Sequence, residues 1–371
     1  MPIIKYDIKE LCTLPPPYGG VTVYVKRLIK QLGKDGFTVG GYYSESCVDK
    51  EIINSPMYNK WTWMQTGLFP FKIWKYLIET VPYKIVHSHF SLEGMLYLWV
   101  LKTIGRKRIV VTVHNSMNSD YYKNTNRINR CFLNMMLKSR DVTWITVSEQ
   151  GRQQLYEFPI KPITPVYVIP AYIPVYENHY APLNEDMQRY IQSHDKIIAF
   201  YGHSFMINAG KDIYGFETAI WVFSKIIQKA EFNVGLVLCI ADSSNAEKIS
   251  FLHEYAKSYD VEDKIFWQTG AIDNIRTLWH ETDIYIRPTS TDGDSVAVRE
   301  ALDEGAVVIA SDVCKRPEGV VAYNWGNDNM LVELILSNLN VQRKIAKPDF
   351  RYYHLMRNIY SKILSPSKNE I

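Results

Sequence analysis

No stretch of this 371-residue chain approaches the roughly 18 consecutive apolar residues needed to cross a bilayer. Its start, MPIIKYDIKEL, interrupts the apolar residues with charges and does not read as a secretory signal. There is no CxxC. The five cysteines (Cys12, Cys47, Cys131, Cys239, Cys314) are scattered and odd in number, as expected of reduced, cytoplasmic thiols and not of a disulfide framework. Charge is nearly balanced: 42 Lys and Arg against 39 Asp and Glu give +3, too little to argue for nucleic acid. No internal repeat of about 20 to 50 residues is found. A soluble or peripheral globular protein is expected.

The apolar fraction of 47% is enough to fold, and 371 residues exceed what one hydrophobic core usually serves. Aromatics are plentiful, with 26 Tyr, 14 Phe and 9 Trp. They suit carbohydrate stacking and membrane interfaces as well as a core. Short apolar runs alternate with amphipathic stretches, which predicts α/β architecture with parallel strands. In the first half, strands are expected within Ile3 to Leu11 and at Phe37 to Tyr43, Ile85 to His87, Ile109 to His114, Trp144 to Val147 and Val166 to Ile169. A helix is expected from Thr22 to Leu32, stopping at Gly33. The polar stretch Ala181 to Asp195 reads as a linker. In the second half, strands are expected at Ile197 to Tyr201, Val234 to Ile240, Ile265 to Trp267, Ile284 to Ile286 and Val307 to Ala310. Helices are expected at Ile213 to Ile227, Ala246 to Tyr259, Ile272 to Trp279 and Ser295 to Glu304. Phe350 to Leu364 reads as one amphipathic helix. The division expected is 1–180, 181–345 and a terminal helix within 346–371 that returns to the first domain. Two doubly wound domains imply a cleft, with ligands beyond the carboxyl ends of the strands.

The most informative segment is IYIRPTSTDGDSVAVREALDEGAVVIASDVCKRPEGV. A strand ends near Arg287, a polar loop follows, and a helix begins near Ser295. Gly293 permits close backbone approach. The N–H groups from Ser295 through Val296 to Ala297 would point at an anion that the helix dipole favours, so the pattern reads as a pyrophosphate site. Glu300, further along that helix, could accept two ribose hydroxyls, and Asp292 could orient a sugar. Asp292 and Asp294 also spell DxD, a possible metal pair.

This segment resembles the retaining glycosyltransferases of family 4, including the group 1 enzymes of bacterial polysaccharide and O-antigen synthesis. Their late motif E-x7-E stands here as Asp292-x7-Glu300, with Asp in the first position. ALDEGAVVIASD matches the family's AMA-x-G-x-PVIASD, and RPEGV stands for its G-x-PEVV. The resemblance covers nearly the whole chain. It implies a GT-B fold, two Rossmann-like domains facing a central cleft. It also implies that Gly19 and Gly20, after LPPPY, are the N-terminal glycine motif near the diphosphate and acceptor. His114 in VVTVHN would contact the donor sugar. IIAFYGHSFMINAGKDIYGFE stands where the family has FVGR-x-x-x-x-KG, so Lys211 would neutralise the leaving diphosphate while His203 replaces the usual Arg. His87 and His89 (IVHSHF) are expected to line the cleft, since no third metal ligand is evident.

The segment YYKNTNRINRCFLNMMLKSRD reads as a basic amphipathic helix. Arg127, Arg130 and Lys138 flank Ile128, Phe132, Met135 and Met136, and Trp61 to Lys75 mixes Trp, Phe and Lys. Such a surface can adsorb to anionic bilayers. The resemblance implies transfer of a hexose-type unit from a nucleotide diphosphate sugar, a UDP-sugar, to a saccharide or lipid-linked saccharide. The expected role is lipopolysaccharide or other surface polysaccharide synthesis, at the inner face of the membrane. No metal and no further cofactor are expected, and no nucleic acid partner. The alternatives are a metal-dependent GT-A-like transferase using Asp292 and Asp294, a GT-B epimerase or hydrolase of the sugar nucleotide, and a non-enzymatic membrane-associated sugar-binding protein.

Overall fold

A computed structural model describes residues 5–16, 19–62, 69–114, 118–175, 180–208, 211–270, 272 and 275–365. The chain divides into two compact units, Met1–Ile173 with Asp349–Ile371, and Pro174–Pro348.

The first unit is built on strands β1 (Tyr6–Leu14), β2 (Val39–Tyr43), β3 (Asn59–Lys60), β4 (Tyr83–Ser88), β5 (Arg108–Val113), β6 (Val142–Thr146) and β7 (Val166–Val168). They form one parallel sheet in the order β3-β2-β1-β4-β5-β6-β7. The order reverses between β1 and β4, the place where such sheets open a crevice at their carboxyl ends. Ile8, Ile85, Val110 and Ile145 face one apolar core, while Val86, Val111 and Trp144 face another. This two-sided burial is why β5 reads as a nearly continuous apolar run.

The helix Gly20–Lys34 buries Tyr24, Val25, Leu28, Ile29 and Leu32. It passes through Gly33, where a stop was expected, and the left-handed turn falls instead at Gly36 (φ 88°). The helix Arg351–Leu364 packs into this unit, burying Tyr353, Met356, Ile359 and Tyr360. At roughly 1.5–3 kcal/mol per buried large apolar side chain, that stripe can hold the helix in place. Tyr353 Oη donates to Asp35 at 2.6 Å, and Arg357 pairs with Asp35 at 2.7 Å.

The second unit contains β8 (Lys196–Gly202), a hairpin of β9 (Ile207–Asn208) and β10 (Lys211–Asp212), β11 (Val234–Ile240), β12 (Ile265–Thr269), β13 (Ile284–Arg287), β14 (Val307–Ser311) and β15 (Val321–Tyr323). Its parallel sheet runs β12-β11-β8-β13-β14-β15, reversing between β8 and β13. The stretch 181–195 is not wholly extended linker. Asn184 caps a helix, Glu185–Gln192, whose Met187 and Ile191 are buried. A side chain at Gly202 would collide with the ring of Phe216, so glycine lets the end of β8 lie against the next helix.

Candidate functional site

In the second unit, the loop after β13 lies at the sheet's reversal point. Ser295 caps the helix Val296–Asp303, its hydroxyl accepting from Val298 N–H at 3.4 Å. The other first-turn N–H groups have no acceptor within the helix. Asp292 is held beneath this turn. Its carboxylate accepts from Arg287 Nε (3.1 Å) and Nη2 (3.2 Å), from Arg316 Nη1 (2.7 Å) and from Gly293 N–H (3.0 Å). Burial alone would raise its pKa, but Arg287 and then Arg316 outweigh burial and hold the carboxyl below its ordinary value. Asp294 pairs with Arg299 at 2.8 Å, yet burial dominates and raises it. The two DxD carboxylates are therefore each committed to arginine. A bridging cation would have to displace those partners.

Glu300 is buried and accepts from Trp279 Nε1 at 3.2 Å. Arg316 also donates to the Ser311 carbonyl (2.7 Å) and to Ser311 Oγ (3.0 Å), tying the RPEGV loop to the end of β14. Neither Arg287 nor Arg316 was singled out from sequence. The signal was present: a charged residue closing the apolar strand IYIR implies a buried partner.

Gly19 caps the helix Gly20–Lys34 in extended conformation, exchanging hydrogen bonds of 3.0 Å with the Thr22 hydroxyl. Among the described residues, a Cβ on Gly19 would have only that hydroxyl within 4 Å. His114 follows β5. Its Nε2 lies 2.9 Å from His89 Nδ1, and His89 Nε2 lies 2.8 Å from Glu10 Oε2. His87 Nδ1 lies 3.0 Å from the same oxygen and 2.6 Å from Tyr360 Oη, which donates to Glu10 Oε1 at 3.1 Å. Thr112 Oγ1 completes the network at His87 Nε2, 2.7 Å away. In the sheet Glu10 stands directly opposite His87, at the reversal between β1 and β4.

Glu10 was missed in the sequence, and His87 and His89, expected to line a cleft, are buried. Glu10, His87 and His89 form the one group among the described residues whose ligand atoms could hold a metal. Their polar atoms sit at hydrogen-bond separations and already satisfy one another.

Residues 18–175 match the sequence profile of Glycosyltransferase Family 4. The search of curated proteins gave no match. Among solved structures, sucrose-phosphate synthase (tll1590) from Thermosynechococcus elongatus is 17% identical, with a TM-score of 0.72 over 98% of this chain and 100% of that one. Anabaena Alr3699/HepE in complex with UDP and glucose is 13% identical, with a TM-score of 0.67 over 97% and 96% of the two chains. WaaG, a glycosyltransferase involved in lipopolysaccharide biosynthesis, is 13% identical, with a TM-score of 0.64 over 97% and 100%. Residues 18–175 are thus similar to glycosyltransferase family 4, and the chain as a whole has the GT-B fold of these solved structures.

In the second unit His203 is exposed after β8, its carbonyl accepting from Asp242 N–H at 2.6 Å. Lys211 opens β10, and its side chain lies outside the described part of the structure. The neighbouring Asp212 caps the helix Phe216–Lys229, accepting from Tyr214 N–H (3.0 Å) and Phe216 N–H (2.5 Å).

The basic segment forms two helices, Asn118–Asn124 and Arg127–Leu137. Its proposed apolar face divides. Met136 is buried and Phe132 packs on Trp99, while Ile128 (65%) and Met135 (42%) are exposed. Arg130 donates to the carbonyls of Lys123 (2.7 Å) and Thr125 (2.9 Å) and so serves the fold. Trp61 packs on Tyr42, and residues 63–68 of its stretch lie outside the described residues. Among the described residues no helix is long and apolar enough to cross a membrane.

The buried network of the first unit makes its stability depend on pH. Burial, reinforced by His87, lowers His89 to about 4, with Glu10 opposing. Burial would raise Glu10, but His87 and His89 outweigh it and hold the carboxyl at about 2. A histidine lowered on folding leaves the unfolded chain binding the extra proton, so stability rises with pH between the two values. The contribution of His89 is complete above about 6.5 and is lost as pH falls toward 4, on the order of 3 kcal/mol. Glu10 adds a second loss as pH falls from 4.5 toward 2. Thermal unfolding at pH 7 and pH 4.5 should show a clear drop for wild type and a smaller one for His89→Gln. Equal drops would place the sensitivity elsewhere.

Proposed function

We propose that this protein is a glycosyltransferase that moves a sugar from a UDP-sugar to a saccharide acceptor with retention and without a metal ion. The observation carrying this reading is the turn at Ser295. It offers a helix N-terminus with free N–H groups, preceded by Gly293 and followed, less than two turns on, by the buried carboxylate of Glu300. A diphosphate suits the N-terminus, and a ribose then falls within reach of Glu300. HepE, of the same fold, is described with UDP and glucose, which supports the choice of base. Val296 and the DxD loop would cradle the diphosphate, with Asp292 holding the loop through its arginines and lying near the sugar. Gly19 and Gly20 would serve the diphosphate and acceptor, and His114 the donor sugar. As the bond from the anomeric carbon to the diphosphate breaks, the departing oxygen takes the acceptor hydroxyl proton and the acceptor oxygen bonds to the same face. Lys211, assisted by His203, offsets the growing charge.

Glu300→Ala should weaken UDP-sugar binding by roughly 1.5–3 kcal/mol, the scale of hydrogen bonds to a charged group. Calorimetry reads this directly, and unchanged affinity in a folded variant would remove Glu300 from the site.

We also propose that the acceptor is lipid-linked and that the first unit meets an anionic membrane. Lys123, Arg127, Lys138 and Arg140 are exposed beside Ile128 and Met135, and Trp74 and Ile78 are exposed on the helix Phe69–Thr80. WaaG, of the same fold, is described as acting in lipopolysaccharide biosynthesis. Each basic residue near an anionic surface contributes about 1 kcal/mol. Arg127→Glu/Lys138→Glu, which spares Arg130, should reduce flotation with anionic liposomes severalfold. Equal flotation of variant and wild type, or none by either, would leave an ordinary solvated helix.

A further inference from the structure

The network ending at His114 has a direction, set by the carboxylate of Glu10 at its buried end. Glu10 is an ionised carboxylate and can only accept. It therefore takes Tyr360 O–H on Oε1 and the protons of His87 Nδ1 and His89 Nε2 on Oε2, with His87 Nδ1 shared toward Tyr360 Oη. Thr112 Oγ1 lies 2.7 Å from His87 Nε2 and satisfies that nitrogen. With its proton on Nε2, neutral His89 has a bare Nδ1. The ring facing that lone pair at 2.9 Å, His114 Nε2, must be the donor. His114 is also held well below its ordinary value, by burial and by His89 and His87, so it carries one proton only. Its remaining nitrogen, Nδ1, is left bare and has no hydrogen-bond partner among the described residues. His87, His89 and Glu10 are enclosed, whereas His114 is only partly buried.

We propose that Glu10, acting through His89, fixes the tautomer of His114 so that His114 Nδ1 presents a hydrogen-bond acceptor to a sugar hydroxyl. Glu10 and His89 are positioning residues, and Tyr360 and His87 hold Glu10 in place. The proposal deepens the assignment of His114 to the donor sugar and rests on that assignment. An acceptor at Nδ1 selects a hydroxyl that can donate. A donor sugar with hydrogen or fluorine at the contacted position would lose the bond, because neither substituent can donate to nitrogen.

Two-bond proton–nitrogen NMR of the protein labelled with 15N-histidine reads the tautomer without any substrate. The expected result at pH 7 is His114 protonated on Nε2 with Nδ1 bare, assigned by the signal lost in His114→Gln. In His89→Phe the tautomer should become mixed, and kcat/KM for donor should fall roughly tenfold, the loss of about one hydrogen bond. His89→Gln, whose carbonyl can still accept from His114, should recover most of that loss, which a purely structural role would not require. An Nδ1–H or doubly protonated His114 in the wild type would overturn the proposal, as would stoichiometric zinc lost on Glu10→Gln. If the NMR result holds but His114→Ala keeps wild-type kinetics, the tautomer relay stands, and the sugar contact, with the role proposed here, falls.

Discussion

Lys211→Ala is expected to lower turnover about 100-fold, with donor affinity much less affected. The arginines of the second unit are committed elsewhere. Arg276 pairs with Glu304, Arg287 and Arg316 with Asp292, and Arg299 with Asp294. Arg343 donates to the carbonyls of Trp279, His280 and Glu304, and Arg189 lies on the surface with Asp186. Every arginine of that unit is thus engaged with a carboxylate or carbonyl. The dipole of the helix after β10 is capped by Asp212. At the proposed donor site, charge on the leaving diphosphate would then be met by the Ser295 turn and by lysine. Because that charge grows as the glycosidic bond breaks, a cation placed there acts on the transition state more than on bound donor. Arginine at 211 should restore part of the rate and glutamine none. Single-turnover rates with saturating donor test this, and an alanine variant within about threefold of wild type would contradict it.

Asp292→Ala is expected to cost the second unit roughly 3–5 kcal/mol of stability, beyond any effect on transfer. Arg287 and Arg316 are largely buried, and Asp292 is the carboxylate that both contact. Without it two guanidinium groups remain in a desolvated loop with carbonyl and hydroxyl partners and, for Arg287, the ring of Tyr214, but with no carboxylate contact among the described residues. Because the folded pKa of Asp292 is depressed, its contribution is present above the ordinary carboxylate range and disappears as pH falls through the folded value. The cost in Asp292→Ala should therefore shrink in strong acid. Denaturant unfolding followed by Trp279 fluorescence measures it, and a cost below 1 kcal/mol at neutral pH would show that the arginines have other support.

The long strands were legible because parallel strands buried on both faces read as apolar runs; Val234–Ile240 fell on its expected limits. The short strands β3, β9, β10 and β15 were not, since two or three residues carry no periodicity. The helix Glu185–Gln192 was hidden by composition, with Met187 and Ile191 alone facing the core. Ser295 as a cap, and Glu300 on the helix that follows, were readable from local pattern. Glu10 was not, because Lys9 and Glu10 look like an exposed edge within YDIKEL. Both are fully buried in a central strand, and their partners lie far along the chain: Asn59 for Lys9, His89 and Tyr360 for Glu10. The role of Arg316 depended in the same way on a carboxylate 24 residues earlier.

The most direct test of the donor assignment is thermal unfolding of wild type and Glu300→Ala with a panel of UDP-, GDP- and dTDP-sugars, all in EDTA. A UDP-sugar at about 100 times its dissociation constant should stabilise wild type by about 2.7 kcal/mol and the variant far less. Stabilisation by no sugar nucleotide, or only after Mn²⁺ or Mg²⁺ is restored, would contradict a metal-independent donor site at the Ser295 turn.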